Sequence, residues 1–259
     1  MIIDINAHLG HYPFRQLRHN TTDGLLALMD ASGIDKAVVS SLNSVFYRDA
    51  HTGNEELAEA AENANGRFIP LATINPKYAG WERDLDQAVS EWQMKGIRLV
   101  PQYHDYQLTD EHGQAILTAA VERQIPVAIP QRLEDRRQRH HFDAATDLSL
   151  DGVLRAVQSH SELKLIFLNW LSISEDTLKE AGLCDRILID LTRIPILLVK
   201  TLPTLIESVG IQAIAFGTHI PLNYPGPPLV KLEIMEVTEE DRERIAWRNA
   251  VEFLGLEER

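Results

Sequence analysis

Short apolar runs rich in isoleucine and valine recur along the whole chain, mostly bounded by glycine, proline or polar residues. Each is four to seven residues long, which is typical of buried strands. Because the runs are apolar on both faces, they favour a parallel sheet covered on both sides. We therefore predict eight strands, at MIIDI, KAVVSSL, FIPLATI, GIRLV, IPVAIP, LKLIFL, RILIDL and IQAIAF.

Segments with helical spacing lie between these runs. In WERDLDQAVSEWQMKG the apolar residues recur every three or four positions, and Gly96 is the predicted stop signal. The last helix is predicted to begin at Thr238, which can cap it and form a capping box with Asp241. Further helices are predicted over 22–32, 54–65, 111–123, 149–158, 173–181 and 196–208.

The alternation of strands and helices decides the predicted fold. It requires parallel pairing with right-handed crossovers, and eight repeats within 259 residues favour a closed barrel over an open doubly wound sheet. No glycine-rich phosphate loop follows the first run, which also disfavours the open sheet. We predict an α/β fold, one (β/α)8 TIM barrel in a single domain over residues 1–259, with functional residues at the carboxyl ends of the strands.

Composition narrows the partners. A net charge of −13 argues against nucleic acid, so we expect a small-molecule ligand, and a homo-oligomer stays open. The single cysteine, Cys184, excludes an internal disulfide and a cysteine metal cluster. The apolar runs are too short to cross a membrane, and the start of the sequence lacks signal-peptide features, so the expected location is cytoplasmic.

The predicted strand ends are almost all polar, as a barrel mouth in contact with water requires. They carry Asn6, His8, Ser41, Asn43, Asn75, Gln102, Tyr103, His104, Gln131, Arg132, Asn169, Trp170, Asp190, Thr192, Arg193, Thr218 and His219.

Four of these strand-end segments, at 4–10, 126–130, 164–170 and 217–221, together resemble the amidohydrolase-related branch of the amidohydrolase superfamily. The best-kept pieces, spread over nearly the whole chain, are GIDKAVVSS, NGRFIPLATINP, GIRLVP, IPVAIP, HSELKLIFLNW, AFGTHIP and NAVEFLGL. The resemblance implies a barrel with one divalent metal, usually zinc or manganese. It also implies small carboxylic acids as substrates, hydrolysed at C–N or C–O bonds or decarboxylated.

The chain departs from this family at the implied metal ligands. Asn6 and His8 stand at the paired histidines, Pro130 and Asn169 stand where single histidines are implied, and His219 replaces an aspartate. A catalytic zinc usually needs about three imidazole, thiolate or carboxylate ligands, and an amide oxygen is a poor substitute. We expect either a site rebuilt around His8 and His219 or no metal, and the ligand count favours no metal.

Two interpretations of the histidines follow. His219 could act as a general acid or base near neutral pH, with His8 or Asp190 tuning its pKa, and these three are the predicted catalytic residues. Alternatively, both histidines are hydrogen-bonded to Asn6 and Asn169 and hold the mouth together. A metal site moved to other histidines, His11, His104, His140 or His141, is a weaker third interpretation.

Arginines near the mouth favour an anionic ligand, since a guanidinium binds a carboxylate in a planar two-pronged geometry. Arg98 lies within the fourth strand, where a charge must be paired or reach the mouth. The arginines of PFRQLRH and RLEDRRQRHH should emerge at the same rim, although those at 136, 137 and 139 are interpreted as surface charges paired with nearby acids. The predicted substrate-binding residues are Asn6, Arg98, Gln131, Arg132, Asn169, Trp170, Tyr103 and His104.

The leading functional hypothesis is an amidohydrolase-like enzyme with an altered site, which hydrolyses or decarboxylates a small organic acid or its amide or ester. The competing hypothesis is an inactive barrel that binds a small ligand or acts as a scaffold, without metal. An enzyme needs a base and a nucleophile within reach of its substrate, whereas a binding protein needs only a shaped pocket.

Overall fold

The computed structural model describes residues 1–171, 173, 178, 182–195 and 201–257. Within them, strands form at all eight predicted positions, and the third position is split into β3 and β4 by Leu71. The strands are β1 Ile3–Leu9, β2 Lys36–Ser41, β3 Phe68–Pro70, β4 Ala72–Thr73, β5 Ile97–Arg98, β6 Val127–Pro130, β7 Leu165–Leu168, β8 Ile187–Asp190 and β9 Ile214–Ala215.

Two parallel sheets, ordered β1-β2-β3 and β4-β5-β6-β7-β8-β9, make up the barrel wall. They adjoin within the third strand position, where the Leu71 N–H donates to the Val39 carbonyl over 2.9 Å. On the other side, β1 meets the segment after β9, where the Ile5 N–H donates to the Phe216 carbonyl and the His8 N–H to the Ile220 carbonyl, over 2.9 and 2.8 Å. The carboxyl ends of the strands therefore face one rim.

The described helices follow the predicted pattern with shifted ends. The third begins at Ala50 because the Asp49 side chain caps it by accepting from the Thr52 N–H. The helix predicted to stop at Gly96 ends at Ser90, so that stop was wrong. Gly96 instead precedes β5, where an added Cβ would lie 2.6 Å from the Pro126 carbonyl.

The helices are α1 Thr22–Ser32, α2 Asn43–Phe46, α3 Ala50–Asn63, α4 Trp81–Ser90, α5 Pro101–His104, α6 Glu111–Glu122, α7 Leu150–Val157, α8 Thr201–Val209, α9 Gly226–Ile234, α10 Glu239–Glu243 and α11 Asn249–Leu254. Thr238 caps α10 as predicted, accepting from the Asp241 N–H. Most of the predicted helix 173–181 and the start of 196–208 lie outside the described residues.

Two apolar clusters leave the polar residues at one end of the barrel. The larger packs the helices against the strands. The smaller joins strand residues across the barrel, among them Ile5, Val38 and Ile166, and includes Ala250 and Leu254 of α11. In the part of the chain that the structure describes, no helix is long and apolar enough to cross a membrane.

Candidate functional site at the barrel mouth

Six of the predicted residues meet at the carboxyl ends of the strands, and we call them the mouth cluster: Asn6, His8, Arg98, Asn169, Asp190 and His219. Each is at most 2% exposed. They come from β1, β5, β8, the residue that directly follows β7 and the segment after β9. The strand register shifts between Asp4 and Ala7, a bulge that re-aims the β1 side chains.

His8 is held by a buried cation. Nη1 of Arg98 lies 2.7 Å from Nε2 of His8 and 3.2 Å from Nδ1, and it also donates to the Ala7 carbonyl over 3.4 Å. A donor this close to both ring nitrogens lies over the face of the imidazole, whereas the ring lone pair points outward in the ring plane. His8 is therefore held against a permanent positive charge, which disfavours a metal ion on this side of the ring.

His219 is fixed in a similar way by neutral groups. Its Nε2 lies 2.6 Å from the Leu133 carbonyl, which can only accept, so Nε2 carries the proton. The Asn169 amide nitrogen lies 3.0 Å from Nδ1 and 3.4 Å from Nε2, which places it over the face of the ring. His219 and Asn169 both have left-handed backbones, with φ of 65° and 61°, an uncommon conformation for residues other than glycine.

Amide groups connect the two sides of the mouth. The Asn6 amide donates to Asn169 Oδ1 over 3.1 Å and to Asp190 Oδ2 over 2.6 Å. Asp190 also accepts from the Asn169 N–H and from the Thr192 hydroxyl, over 3.0 and 2.7 Å. Asn6 and Asn169 thus act as hydrogen-bonding links at positions where the family resemblance implies histidines.

Asp4 is a member of the site that the predictions left out. It is fully buried and accepts from the N–H groups of Asn6 and Thr218, over 2.9 and 3.0 Å, and from the Thr218 hydroxyl. Burial raises its pKa from 3.8 to about 7, against the opposing effect of these hydrogen bonds. The sequence signal was present, since DINAH places a carboxylate two residues before Asn6.

The mouth cluster is electrostatically asymmetric. Burial lowers the pKa of Arg98 to about 10, with Asp190 and Asp4 opposing the shift, so its guanidinium stays charged at neutral pH. Burial, with nearby Arg98, lowers the pKa of His8 well below 6.5, and burial lowers that of His219 to about 3. Burial raises the pKa of Asp190. At pH 7 the cluster holds a fixed cation and two neutral imidazoles.

Residues 131–148, here called the covering segment, lie across the mouth. Besides the Leu133 carbonyl on His219, the Arg132 carbonyl accepts from the Asn169 amide over 3.2 Å. Asp147 holds the segment together, since its carboxylate pairs with the arginines at 132, 136 and 139 over 2.5 to 2.9 Å. Arg137 pairs with Asp135, so the interpretation of these arginines as charges paired with nearby acids is confirmed.

The remaining predicted substrate contacts lie apart from the mouth cluster. Trp170 is 1% exposed in the core, where its indole N–H donates to the Ile129 carbonyl. Gln131 accepts from the Arg132 guanidinium, whose charge is paired with Asp147. Tyr103 donates to Asp143 over 3.0 Å, and His104, adjacent in α5, is buried with an unpartnered Nδ1.

The donor set at the mouth does not fit the divalent metal that the family implies. Among the described residues, no group of three or more histidine, cysteine, aspartate or glutamate side chains is placed to hold an ion. Nε2 of His219 carries its proton toward the Leu133 carbonyl, so in this tautomer it offers no lone pair to an ion. A second cation would also have to lie beside the buried guanidinium, which repels it.

Residues 3–167 of the chain match a protein-family model described as Amidohydrolase. No curated protein matches the chain.

Solved structures match over almost the full length. A candidate amidohydrolase from Staphylococcus aureus has a TM-score of 0.78 at 16% identity, covering 98% of this chain and 99% of that one. A 2,6-dihydroxybenzoate decarboxylase bound to 2,6-dihydroxybenzoate has a TM-score of 0.75 at 16% identity, with coverages of 98% and 99%. A dihydroxybenzoic acid decarboxylase from Polaromonas sp. JS666, with bound manganese and the inhibitor 2-nitroresorcinol, has a TM-score of 0.74 at 17% identity, with coverages of 98% and 96%. At these identities the likeness shows the fold, and it confirms the predicted barrel.

Proposed function

The chain belongs to the amidohydrolase family, and on that premise we propose that it binds a small organic acid at the barrel mouth through Arg98, without a metal ion. One observation carries the proposal. The Arg98 guanidinium is 1% exposed, and among the described residues its Nε and Nη2 have no hydrogen-bond partner. A buried cation with unused donors is costly unless a ligand pairs with it.

A carboxylate fits these donors better than the protein's own acids do. The oxygens of Asp190 are held by Asn6, Asn169 and Thr192. Those of Asp4 are held by Asn6 and Thr218, and burial raises the pKa of both carboxyls, which favours their uncharged forms. An incoming carboxylate would supply the missing charge and accept two parallel N–H groups. The cation at the mouth would then be the guanidinium, whereas the dihydroxybenzoic acid decarboxylase of the same fold was solved with bound manganese.

Entry of the acid requires the covering segment to move. Its carbonyls at Arg132 and Leu133 are bonded to Asn169 and His219, so binding would break these two hydrogen bonds. Movement of such a loop over a barrel mouth is a common way to admit and enclose a ligand.

Calorimetric titration in the presence of a chelator tests the proposal. Aromatic acids are the first probes, beginning with 2,6-dihydroxybenzoate, because two fold relatives act on or bind such acids. We expect one saturable site that Arg98→Met removes and Arg98→Lys weakens, since a lysine keeps the charge but loses the two-pronged geometry. The control is Arg136→Gln, which changes an exposed arginine of the covering segment.

Circular dichroism confirms that the variants fold. An unchanged number of binding sites in folded Arg98→Met, or binding that appears only when manganese or zinc is added, contradicts the proposal.

Decarboxylation of the bound acid is the second candidate, and the pKa of Asp4 favours it. A carboxyl group with a pKa of about 7 can hold a proton at neutral pH and deliver it to carbon. In this step the C–C bond to the carboxylate breaks, carbon dioxide leaves, and the electron pair left on carbon takes the Asp4 proton, which water then replaces. Hydrolysis is less favoured because His219, with a pKa of about 3, is a poor base for water. Carbon dioxide release from the bound acid, lost in Asp4→Ala, tests this candidate. Binding without release would leave the barrel a binding protein.

A further inference from the structure

A pocket at the rim, here called the rim pocket, lies outside the mouth cluster. Its volume is about 540 Å³, within the range of small-molecule sites. Its walls come from the loop after β1, from α1, from the covering segment and from the loop before α9. None of the six mouth-cluster residues lines it. A ligand here would therefore not contact Arg98.

The rim pocket is cationic on a strongly acidic protein. Arg15, Arg18 and His19 line it, and none of its described lining residues is an aspartate or glutamate, although the chain carries a net charge of −13. A concave surface lined by one sign of charge attracts small ions of the opposite sign. The charge of the rim pocket is thus opposite in sign to the net charge of the molecule.

Its two arginines differ in availability. Arg15 is already bonded within the protein, because its Nε pairs with Glu134 over 2.8 Å and its Nη2 donates to the Leu222 carbonyl over 2.6 Å. Arg18 is exposed, and no described residue forms a hydrogen bond or ion pair with it. Arg18 is therefore the cation with all its donors available to a ligand, while Arg15 fixes the wall.

An aromatic ring lines the same pocket as these charges. Tyr224 is 85% exposed, and no other described ring contacts it. Leu222 and the flanking prolines add apolar surface to the same wall. An exposed ring beside a guanidinium suits a flat ligand that carries an anionic group, since the ring packs on the ligand face and the guanidinium binds its carboxylate.

We infer that the rim pocket binds a small aromatic carboxylate, with Arg18 holding the carboxylate and Tyr224 packing on the ring. This site is independent of the proposed function at Arg98. Because Glu134 links Arg15 to the covering segment, the site lies beside the segment that closes the mouth.

Titration calorimetry with benzoate, benzamide and inorganic phosphate tests the inference. We expect benzoate to bind and the neutral isostere benzamide not to bind. Arg18→Gln should weaken benzoate binding about tenfold or more, because one charge-assisted pair is lost, and Tyr224→Ala should weaken it less. Arg48→Gln is the matched control, since Arg48 is also exposed and unpaired among the described residues but lies in a pocket with Asp49 and Asp84. It should leave binding unchanged.

Arg98→Met separates the two sites. Two benzoate sites per chain, one removed by Arg98→Met and the other by Arg18→Gln, support both proposals. Benzoate binding that persists in Arg98→Met and is lost in Arg18→Gln supports the rim site even if the proposed function fails. Binding lost in Arg98→Met but kept in Arg18→Gln overturns the rim site and supports the mouth. No benzoate binding, equal effects of Arg18→Gln and Arg48→Gln, or binding of phosphate alone also overturns the inference.

Discussion

The imidazole rings of His8 and His219 meet edge to face at the barrel mouth, with centroids 5.0 Å apart and planes at 84°. They are close enough to share a ligand, yet each ring lies against a donor of the protein, Arg98 for His8 and Asn169 for His219. The pair thus belongs to a closed hydrogen-bond network, in which the permanent charge is the Arg98 guanidinium.

Replacing Arg98 should separate stability from binding. Arg98→Met keeps most of the side-chain volume and removes a buried charge with two unpartnered donor atoms. We expect the free energy of unfolding to stay equal or to rise by about 1–3 kcal/mol, as when other buried charges are replaced by apolar groups. Urea unfolding measures it. A loss of stability of this size would mean that Arg98 is a structural cation fully compensated in the folded protein.

Asp4 should make the protein less stable as pH rises. Its folded pKa of about 7 exceeds its unfolded value of 3.8, so the folded state binds the proton more tightly. Its contribution is complete below pH 3.8 and is lost as pH rises to about 7. Asp4→Asn should remove this slope in urea unfolding measured between these pH values. An unchanged slope in Asp4→Asn would contradict the raised pKa.

His104 should act in the opposite direction. Burial lowers its pKa from 6.5 to about 4, so the unfolded state binds the proton more tightly. Stability should fall by about 2–3 kcal/mol through this residue as pH drops from 6.5 to 4. His104→Gln should flatten that part of the profile, whereas the control His112→Gln, at a half-exposed histidine beside Glu111, should leave it unchanged. Equal profiles for His104→Gln and the wild type would contradict the prediction.

Asp147 should keep the covering segment closed. Its side chain is 5% exposed and pairs with three arginines, including the buried Arg132. Asp147→Asn removes the charge that these pairs share, so hydrogen exchange over residues 131–148 should become faster, with little change elsewhere. Asp151→Asn is the control, because Asp151 pairs with Arg155 on an exposed helix face and such pairs contribute little. Unchanged exchange in Asp147→Asn would show that other contacts hold the segment.

Much of this fold was predictable because it depends on repeated local patterns. Apolar runs gave all eight strand positions, since a strand in a parallel barrel is buried on both faces and leaves a continuous signal. Helix ends were harder to predict. Helix α4 ends at Ser90, and a glycine is needed at position 96 because its backbone lies close to Pro126. A glycine signals a special backbone position, but the sequence does not say which kind.

The residues that form the site could be predicted from the sequence, but several of their contacts could not. Strand-end positions gave five of the six residues of the mouth cluster, and the charge within the fourth strand gave Arg98. The partner of His8 proved to be Arg98, ninety residues away in sequence, instead of an asparagine. Trp170 lies two residues after β7 but packs into the core, because the direction of a side chain after a strand end depends on local backbone turns. Such contacts depend on tertiary placement, which no local pattern encodes.

The most direct test of the claim that a guanidinium charge stands in place of a metal ion is elemental analysis. The protein would be purified without an affinity tag or chelator, incubated with excess manganese or zinc, and desalted, alongside a His8→Ala, His219→Ala double variant. We expect far less than one bound ion per chain in both proteins. About one ion per chain in the wild type, lost in the double variant, would contradict it and show that these histidines release their hydrogen bonds to bind a metal.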